Sequence, residues 1–264
     1  MLVDTHAHIH FDEFRDDLDD IFDNCRKSDI TQIITVGTDE FDSKKALEFV
    51  WNEDVIDKAK SIKLFASAGL HPHDANNGTD ALLTIKELVE DGGCGDKLVA
   101  VGECGLDYYR NNSDKRDQYK ALEFQIELAL ANGLPLVFHV RDAWDDFFGI
   151  IKNYPDLRGV IHSFTGSTTE VEKASEYNLY FGLNGIMTFT KDRDQLQAAK
   201  LISADKVLLE TDCPFLAPEP MRGKRNEPAN VKFVAEFLAK LRGDNLTELS
   251  NLTSLNAKTL FELK

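Results

Sequence analysis

The amino-acid sequence predicts an α/β fold, specifically a (β/α)₈ TIM barrel, on three observations. Its 264 residues match the roughly 250 that one such barrel needs. Eight short apolar runs alternate with segments long enough to form helices. The histidines gather at the ends of those runs and avoid the segments between them. Repeated β–α alternation calls for a parallel sheet with right-handed crossovers, and eight units favour closure over an open sheet.

The predicted strands are Leu2–Thr5, Gln32–Gly37, Lys63–Gly69, Leu98–Gly102, Leu136–His139, Gly159–His162, Leu179–Gly182 and Lys206–Glu210. Most are continuous apolar runs without strict alternation, as expected of strands buried on both faces. After the first strand, Phe14, Leu18, Ile21, Phe22 and Cys25 fall at helical spacing with acids between them. The acid-rich run Asp12–Asp29 is therefore the solvated face of the first helix, and no catalytic role is assigned to it. Leu122, Ile126, Ala129 and Leu130 repeat the helical spacing after the fourth strand. Leu246, Leu249, Leu252, Leu255, Leu260 and Phe261 mark a final helix, Leu246–Leu263, packed on the barrel. No repeat or linker interrupts the chain, so residues 1–264 are expected to form one domain.

Composition narrows the class. An apolar fraction of 42% and a charged fraction of 29% are ordinary for a soluble protein. No stretch approaches the roughly 18 uninterrupted apolar residues of a membrane helix, and the N-terminus lacks the pattern of a signal peptide. Cys25, Cys94, Cys104 and Cys213 show neither CxxC pairing nor framework spacing, which suits reduced thiols in a cytoplasmic protein. The net charge of −16 argues against a protein that coats DNA, because such proteins draw affinity from many neutralised phosphates. Nucleic acid would be gripped only locally.

The chemistry lies in the histidines and acids at strand ends. His6, His8 and His10 end the first strand, and His71 and His73 follow the third. His139 ends the fifth and His162 the sixth. In a barrel these ends converge on one mouth, where active sites are built, so the cluster points to metal binding. His6 and His8 are two residues apart, and strand side chains two apart face the same way, so both imidazoles can meet one cation. Glu103 follows the fourth strand, and Glu210 and Asp212 end the eighth. A carboxylate can bridge two cations, and Glu103 lies midway between the His6/His8 and His139/His162 groups. A two-cation site, with ions about 3.5–4 Å apart, clamps attacking and leaving oxygens and lets water ionise near neutral pH.

These motifs resemble the TatD family of metal-dependent deoxyribonucleases, within the amidohydrolase-like barrel superfamily. The resemblance runs through Asp4-Thr5-His6-Ala7-His8, Gly69-Leu70-His71-Pro72-His73 and Gly102-Glu103-Cys104-Gly105-Leu106-Asp107-Tyr108-Tyr109. It continues through His139-Val140-Arg141-Asp142-Ala143, His162-Ser163-Phe164-Thr165-Gly166-Ser167 and Glu210-Thr211-Asp212-Cys213-Pro214-Phe215. It implies that His6, His8 and Asp212 hold one metal, that Glu103 bridges, and that His139 and His162 hold the second. No lysine stands at the fourth-strand end to serve as a carbamylated bridge, and Glu103 takes that place. Asp212 is the candidate to orient or deprotonate the attacking water, and His71 to contact a substrate phosphate. His10 packs in its loop or binds substrate. His73 supports the site or the fold. Glu210 either backs the site or sits in an ion pair inside the barrel.

The activity expected from this resemblance is that of a 3′→5′ exodeoxyribonuclease acting on single strands or ends, with two divalent cations (Mg²⁺, Mn²⁺ or Zn²⁺). Four imidazoles suit Zn, Mn or Fe on ligand softness, while nuclease activity in the family implies that Mg²⁺ serves. The rival enzyme is a D-aminoacyl-tRNA deacylase or another ester or amide hydrolase. A metal or nucleic-acid binder without turnover is a further alternative. The densest basic cluster, Arg222, Lys224 and Arg225, follows the eighth strand, where barrels often bind phosphate. Gly223 would allow close backbone approach, and the arginines would bind bidentately. The bland alternative is that these cations offset acids such as Glu219 and Glu227.

Overall fold

The eight expected strands are present, in sequence order and all parallel. The structure, a computed structural model, describes residues 1–90 and 95–264, so the expectation for Cys94 lies outside the described residues. The strands are β1 (Leu2–Ala7), β2 (Ile30–Val36), β3 (Lys63–Ala68), β4 (Leu98–Asp107), β5 (Leu136–Arg141), β6 (Arg158–Ile161), β7 (Asn178–Leu183) and β8 (Val207–Leu209). The helices around them are α1 (Leu18–Lys27), α2 (Glu40–Trp51), α3 (Glu53–Ala59), α4 (Gly78–Glu90), α5 (Lys115–Asn132) and α6 (Trp144–Ile151). They continue with α7 (Thr168–Ala174), α8 (Ile186–Phe189), α9 (Arg193–Leu201), α10 (Val231–Arg242) and α11 (Leu246–Phe261). The architecture is the TIM barrel expected. Among the described residues no helix is long and apolar enough to cross a membrane.

Side-chain alternation sorts the core into two layers. Leu2, Ile33, Leu64, Phe138, Ile161 and Phe181 face out and pack under the helices with Ile21, Phe22, Leu122 and Ile126. Val3, Ile34, Phe65, Val99, Val137, Val160, Tyr180 and Leu208 fill the barrel interior, and Leu260 and Phe261 of α11 close its floor. Burial on α11 is narrower than its leucine pattern implies. Leu249, Leu260 and Phe261 are buried, but Leu246 and Leu255 are exposed, because Ser250, Thr253 and Ala257 form the rest of the packed stripe.

The seam between β1 and β8 is made differently from the other strand pairs. Asp212 N–H donates to His6 O at 2.8 Å, and His8 N–H donates to Cys213 O at 2.8 Å. Below them the buried Asp4 carboxylate accepts the Thr211 hydroxyl at 2.6 Å and the Thr211 N–H at 2.9 Å. The first and last groups of the site are thereby locked to one another. The β1 register shifts between Asp4 and Ala7. Val3 faces the interior, so unbroken alternation would send His6 outward; the shift turns His6, and with it His8, into the mouth.

Candidate active site

At the C-terminal end of the barrel lies an open cavity of about 890 Å³, with His8, His71, Glu103, His139, His162 and Asp212 in its lining. Glu103 is the hub. Its Oε1 lies 2.9 Å from His139 Nδ1, 3.0 Å from His162 Nε2 and 3.4 Å from His71 Nε2. Its Oε2 lies 3.4 Å from His6 Nε2. Asp212 closes the other side, with Oδ1 3.6 Å from His6 Nε2 and 3.4 Å from His8 Nε2. The six side chains expected to hold metal thus converge on one cluster.

The donor set fits cations. His8 Nδ1 lies 2.8 Å from Val36 O, which can only accept, so Nδ1 carries the proton. His8 Nε2 faces the Asp212 carboxylate at 3.4 Å, a place that takes either a proton, which the carboxylate favours by raising the imidazole, or a cation that displaces it. Both ring nitrogens of His6 are buried without a hydrogen-bond partner. Such buried groups are costly unless something satisfies them. His6, His8 and Glu103 form one cluster whose ligand atoms are mutually within 4.8 Å, and His6, His162 and Asp212 form another.

Electrostatics agree. Burial would raise the Glu103 carboxyl, but His162, His71 and the hydrogen bond from His139 hold it well below the usual range. Burial would likewise raise Asp212, yet His8, His6 and His162 keep it low, so both acids are ionised. Burial would lower the His162 imidazole, but Glu103 and Glu210 carry it well above its ordinary value. The site attracts positive charge where a cation would sit.

A third clustered set, His71 with Glu103 and His139, has a different character. His71 Nδ1 accepts the His73 N–H at 3.1 Å, so the neutral ring carries its proton on Nε2. Burial, with His139 adding, pushes the His71 imidazole down to about 4 against the pull of Glu103. His71 is therefore a neutral donor aimed into the cavity and offers no lone pair there.

Two acids support the imidazoles from behind. Asp107 Oδ2 lies 3.1 Å from His139 Nε2 and 2.9 Å from His73 Nε2, while Oδ1 accepts the N–H groups of Tyr109 and Arg110. His73 thus reaches the site through Asp107. Glu210 Oε1 accepts the Ser163 N–H at 2.6 Å and an Asn184 N–H at 3.2 Å, and lies 3.4 Å from His162 Nδ1. Of its two expected roles, backing the site is the one this geometry fits. His10 is tied to Thr35 Oγ1 at 2.6 Å and Asp42 Oδ1 at 2.9 Å, so both its nitrogens are used in the fold. Cys25, Cys104 and Cys213 are buried free thiols, and burial raises each of them.

The three loop cations expected at phosphate do not line the cavity. Arg225 pairs with Asp17, donates to Glu13 O and stacks on Phe14. It fastens the loop to the segment before α1. Its partner is neither Glu219 nor Glu227. Arg222 is exposed and lies over Phe189, a cavity-lining ring, with its guanidinium 3.7 Å from the ring centre. Lys224 is exposed. The cations in the lining are instead Arg110 and Arg141. Neither arginine is among the expected site residues, and nor is Asp107. Alternation carried the signal: Asp107 lies four residues beyond Glu103, and Arg141 two beyond His139, on the same strand faces.

The chain matches the family described as TatD related DNase over residues 3–262. It is 37% identical to the metal-dependent hydrolase YabD of Bacillus subtilis, covering 100% of both chains. It is 33% identical to the 3′-5′ ssDNA/RNA exonuclease TatD of Erwinia tasmaniensis, covering 99% of this chain and 100% of that one. The crystal structure of YJJV, a TatD homolog from Escherichia coli K12, superposes with a TM-score of 0.90 at 26% identity, covering 100% of this chain and 98% of that one. The chain belongs to the TatD related DNase family and is a metal-dependent hydrolase of that family.

Proposed function

We propose that this protein is a 3′→5′ exonuclease that hydrolyses phosphodiester bonds of single-stranded DNA, with residues 1–264 acting as one catalytic domain. In this reading His6, His8 and Asp212 would hold one divalent cation, His139 and His162 would hold a second, and Glu103 would serve both. The observation that carries it is the convergence of these six groups around Glu103, with both His6 nitrogens buried and unsatisfied. The exonuclease name of the Erwinia relative supports the substrate class. Three buried free thiols accord with a cytoplasmic setting.

Two cations bound there would stabilise charge on the phosphoryl oxygens and make water more acidic. Imidazole donors favour Mn²⁺ or Zn²⁺, and the carboxylates also accept Mg²⁺. The protein's own groups do the rest. Ionised Asp212 takes a proton from the attacking water, whose oxygen forms a bond to phosphorus while the bond from phosphorus to the 3′ oxygen breaks, and the departing 3′ oxygen takes its proton from solvent to leave as the 3′ hydroxyl of the shortened strand. His71 Nε2–H donates a hydrogen bond to a phosphate oxygen. Asp107 and Glu210 fix the rings of His139 and His162, so little reorganisation accompanies reaction. Arg222 and Lys224 remain candidates for the outer path of the strand.

Glu103→Ala should abolish turnover more completely than it lowers stability, because the bridge serves both metals. Asp212→Asn should keep part of its metal and lose most of its rate. Near-wild-type activity in metal-replete Asp212→Asn would remove Asp212 from the mechanism.

A further inference from the structure

Phe215 and the two cavity arginines, Arg110 and Arg141, stand on opposite walls of the mouth. Phe215, just beyond β8, is 53% exposed, lines the cavity, and lies edge-on to Phe11 and His8 with centroids 6.5 and 6.1 Å away. In an eight-stranded barrel of sequential order, β4 and β5 lie across from β8 and β1. There Tyr109, 60% exposed, has the Arg141 guanidinium 3.8 Å from its ring centre and that of Arg110 at 6.0 Å. Both arginines line the cavity. Among the described residues the arginines in ion pairs are Arg26, Arg158, Arg225 and Arg242, which leaves Arg110 and Arg141 free of carboxylate partners. In a chain of net charge −16, that is where an anion would be drawn.

Position on the strand adds direction. Val137, His139 and Arg141 share the interior side of β5, so Arg141 lies about 7 Å further out than His139 along the same line. Stacking on Tyr109 holds the guanidinium groups in place and lowers the entropy lost when they bind. An exposed aromatic beside a catalytic centre is a surface on which bases stack without sequence preference.

We propose that the mouth is a slot for the 3′ end of a single strand. The terminal base stacks on Phe215, the scissile phosphate lies over the histidine–carboxylate cluster, and the next phosphate toward the 5′ end is bound by Arg141 and Arg110. The aromatic wall ends the path on one side and the cationic wall continues it on the other, so the polarity of digestion is built into the mouth. This inference rests on the exonuclease reading and names how that substrate is held.

The test uses metal-loaded enzyme with two substrates, a single-stranded oligodeoxynucleotide and the p-nitrophenyl ester of thymidine 5′-phosphate, which has a base but no second phosphate. For Arg141→Gln the loss on the oligonucleotide should exceed the loss on the ester roughly ten-fold and fall on KM more than kcat. The same variant should flatten the salt dependence of oligonucleotide binding by about 0.7 in log–log slope. Phe215→Leu should lose roughly ten-fold in KM on both substrates and keep the wild-type salt slope. Equal losses on the two substrates for Arg141→Gln, or wild-type behaviour of both variants, would overturn the slot while leaving the exonuclease reading intact. A wild-type enzyme that degrades no DNA would instead overturn the exonuclease reading, and the slot with it.

Discussion

Replacing Asp107 by Asn should cost metal affinity without touching a metal ligand. The Asp107 carboxylate accepts four hydrogen bonds: from His73 Nε2 at 2.9 Å, His139 Nε2 at 3.1 Å, Tyr109 N at 2.9 Å and Arg110 N at 2.8 Å. An amide keeps one oxygen, which the two backbone N–H groups will claim. Its NH₂ group then faces His139, whose Nε2 must accept where it had donated. In the neutral ring that a cation requires, the proton then sits on Nδ1, the nitrogen 2.9 Å from Glu103 and turned toward the cluster. Burial would raise the Asp107 carboxyl, but hydrogen bonds from His139, the Arg110 N–H and His73 hold it well below its usual range, so a full charge is lost. Partners of this kind are worth 10- to 100-fold in metal affinity, or roughly 1.4–2.7 kcal/mol. Calorimetric titration of Mn²⁺ into metal-free protein reads this directly. The equivalent bound by His6, His8 and Asp212 should keep its affinity, and the other should weaken by that factor. If both equivalents bind as in wild type while Tm falls, Asp107 is a structural residue and the tautomer argument is wrong.

Gly182→Ala should damage the site from the opposite wall. A Cβ there would lie 2.1 Å from Glu210 Oε2, so the carboxylate must leave the Ser163 N–H and Asn184. A stability loss of about 1–3 kcal/mol, measured by denaturant titration, should accompany weaker binding of the second metal. Arg225→Ala should cost at most about 1 kcal/mol, because its pair with Asp17 is partly exposed, and should leave the salt slope of DNA binding at its wild-type value. Metal binding should release protons and strengthen as pH rises. Although burial lowers both, carboxylate partners raise His162 and His8, so each metal-free ring holds its second proton more tightly than a free imidazole, and a cation must displace it. Calorimetry at pH 7 in buffers of different ionisation enthalpy counts those protons; no dependence on buffer would contradict the sign.

Where the sequence was legible, periodicity made it so. Each strand carries a short apolar run, and runs of that kind between helical segments have few other solutions. The expected strand Leu98–Gly102 stops short of the end of β4 at Asp107 because Gly102 and Gly105 look like terminators. Both have positive φ, and a Cβ at Gly105 would lie 1.9 Å from His139 O, so they mark close approach of β4 to β5 inside the strand. Metal candidates were visible because residue type and strand position agree. The partner of Arg225 is not legible, because a basic cluster does not reveal what it pairs with, and Asp17 is 208 residues from Arg225 in sequence. Asp107 is not legible as a supporting group, since a carboxylate that orients an imidazole looks no different in sequence from any acid at a strand end.

The most direct test is to incubate the metal-loaded protein in parallel with end-labelled single-stranded DNA, abasic DNA and D-aminoacyl-tRNA. Mononucleotides should leave the 3′ end first, with full dependence on divalent metal and loss of activity in Glu103→Ala. Intact DNA, with free amino acid released from the charged tRNA, would contradict the exonuclease reading.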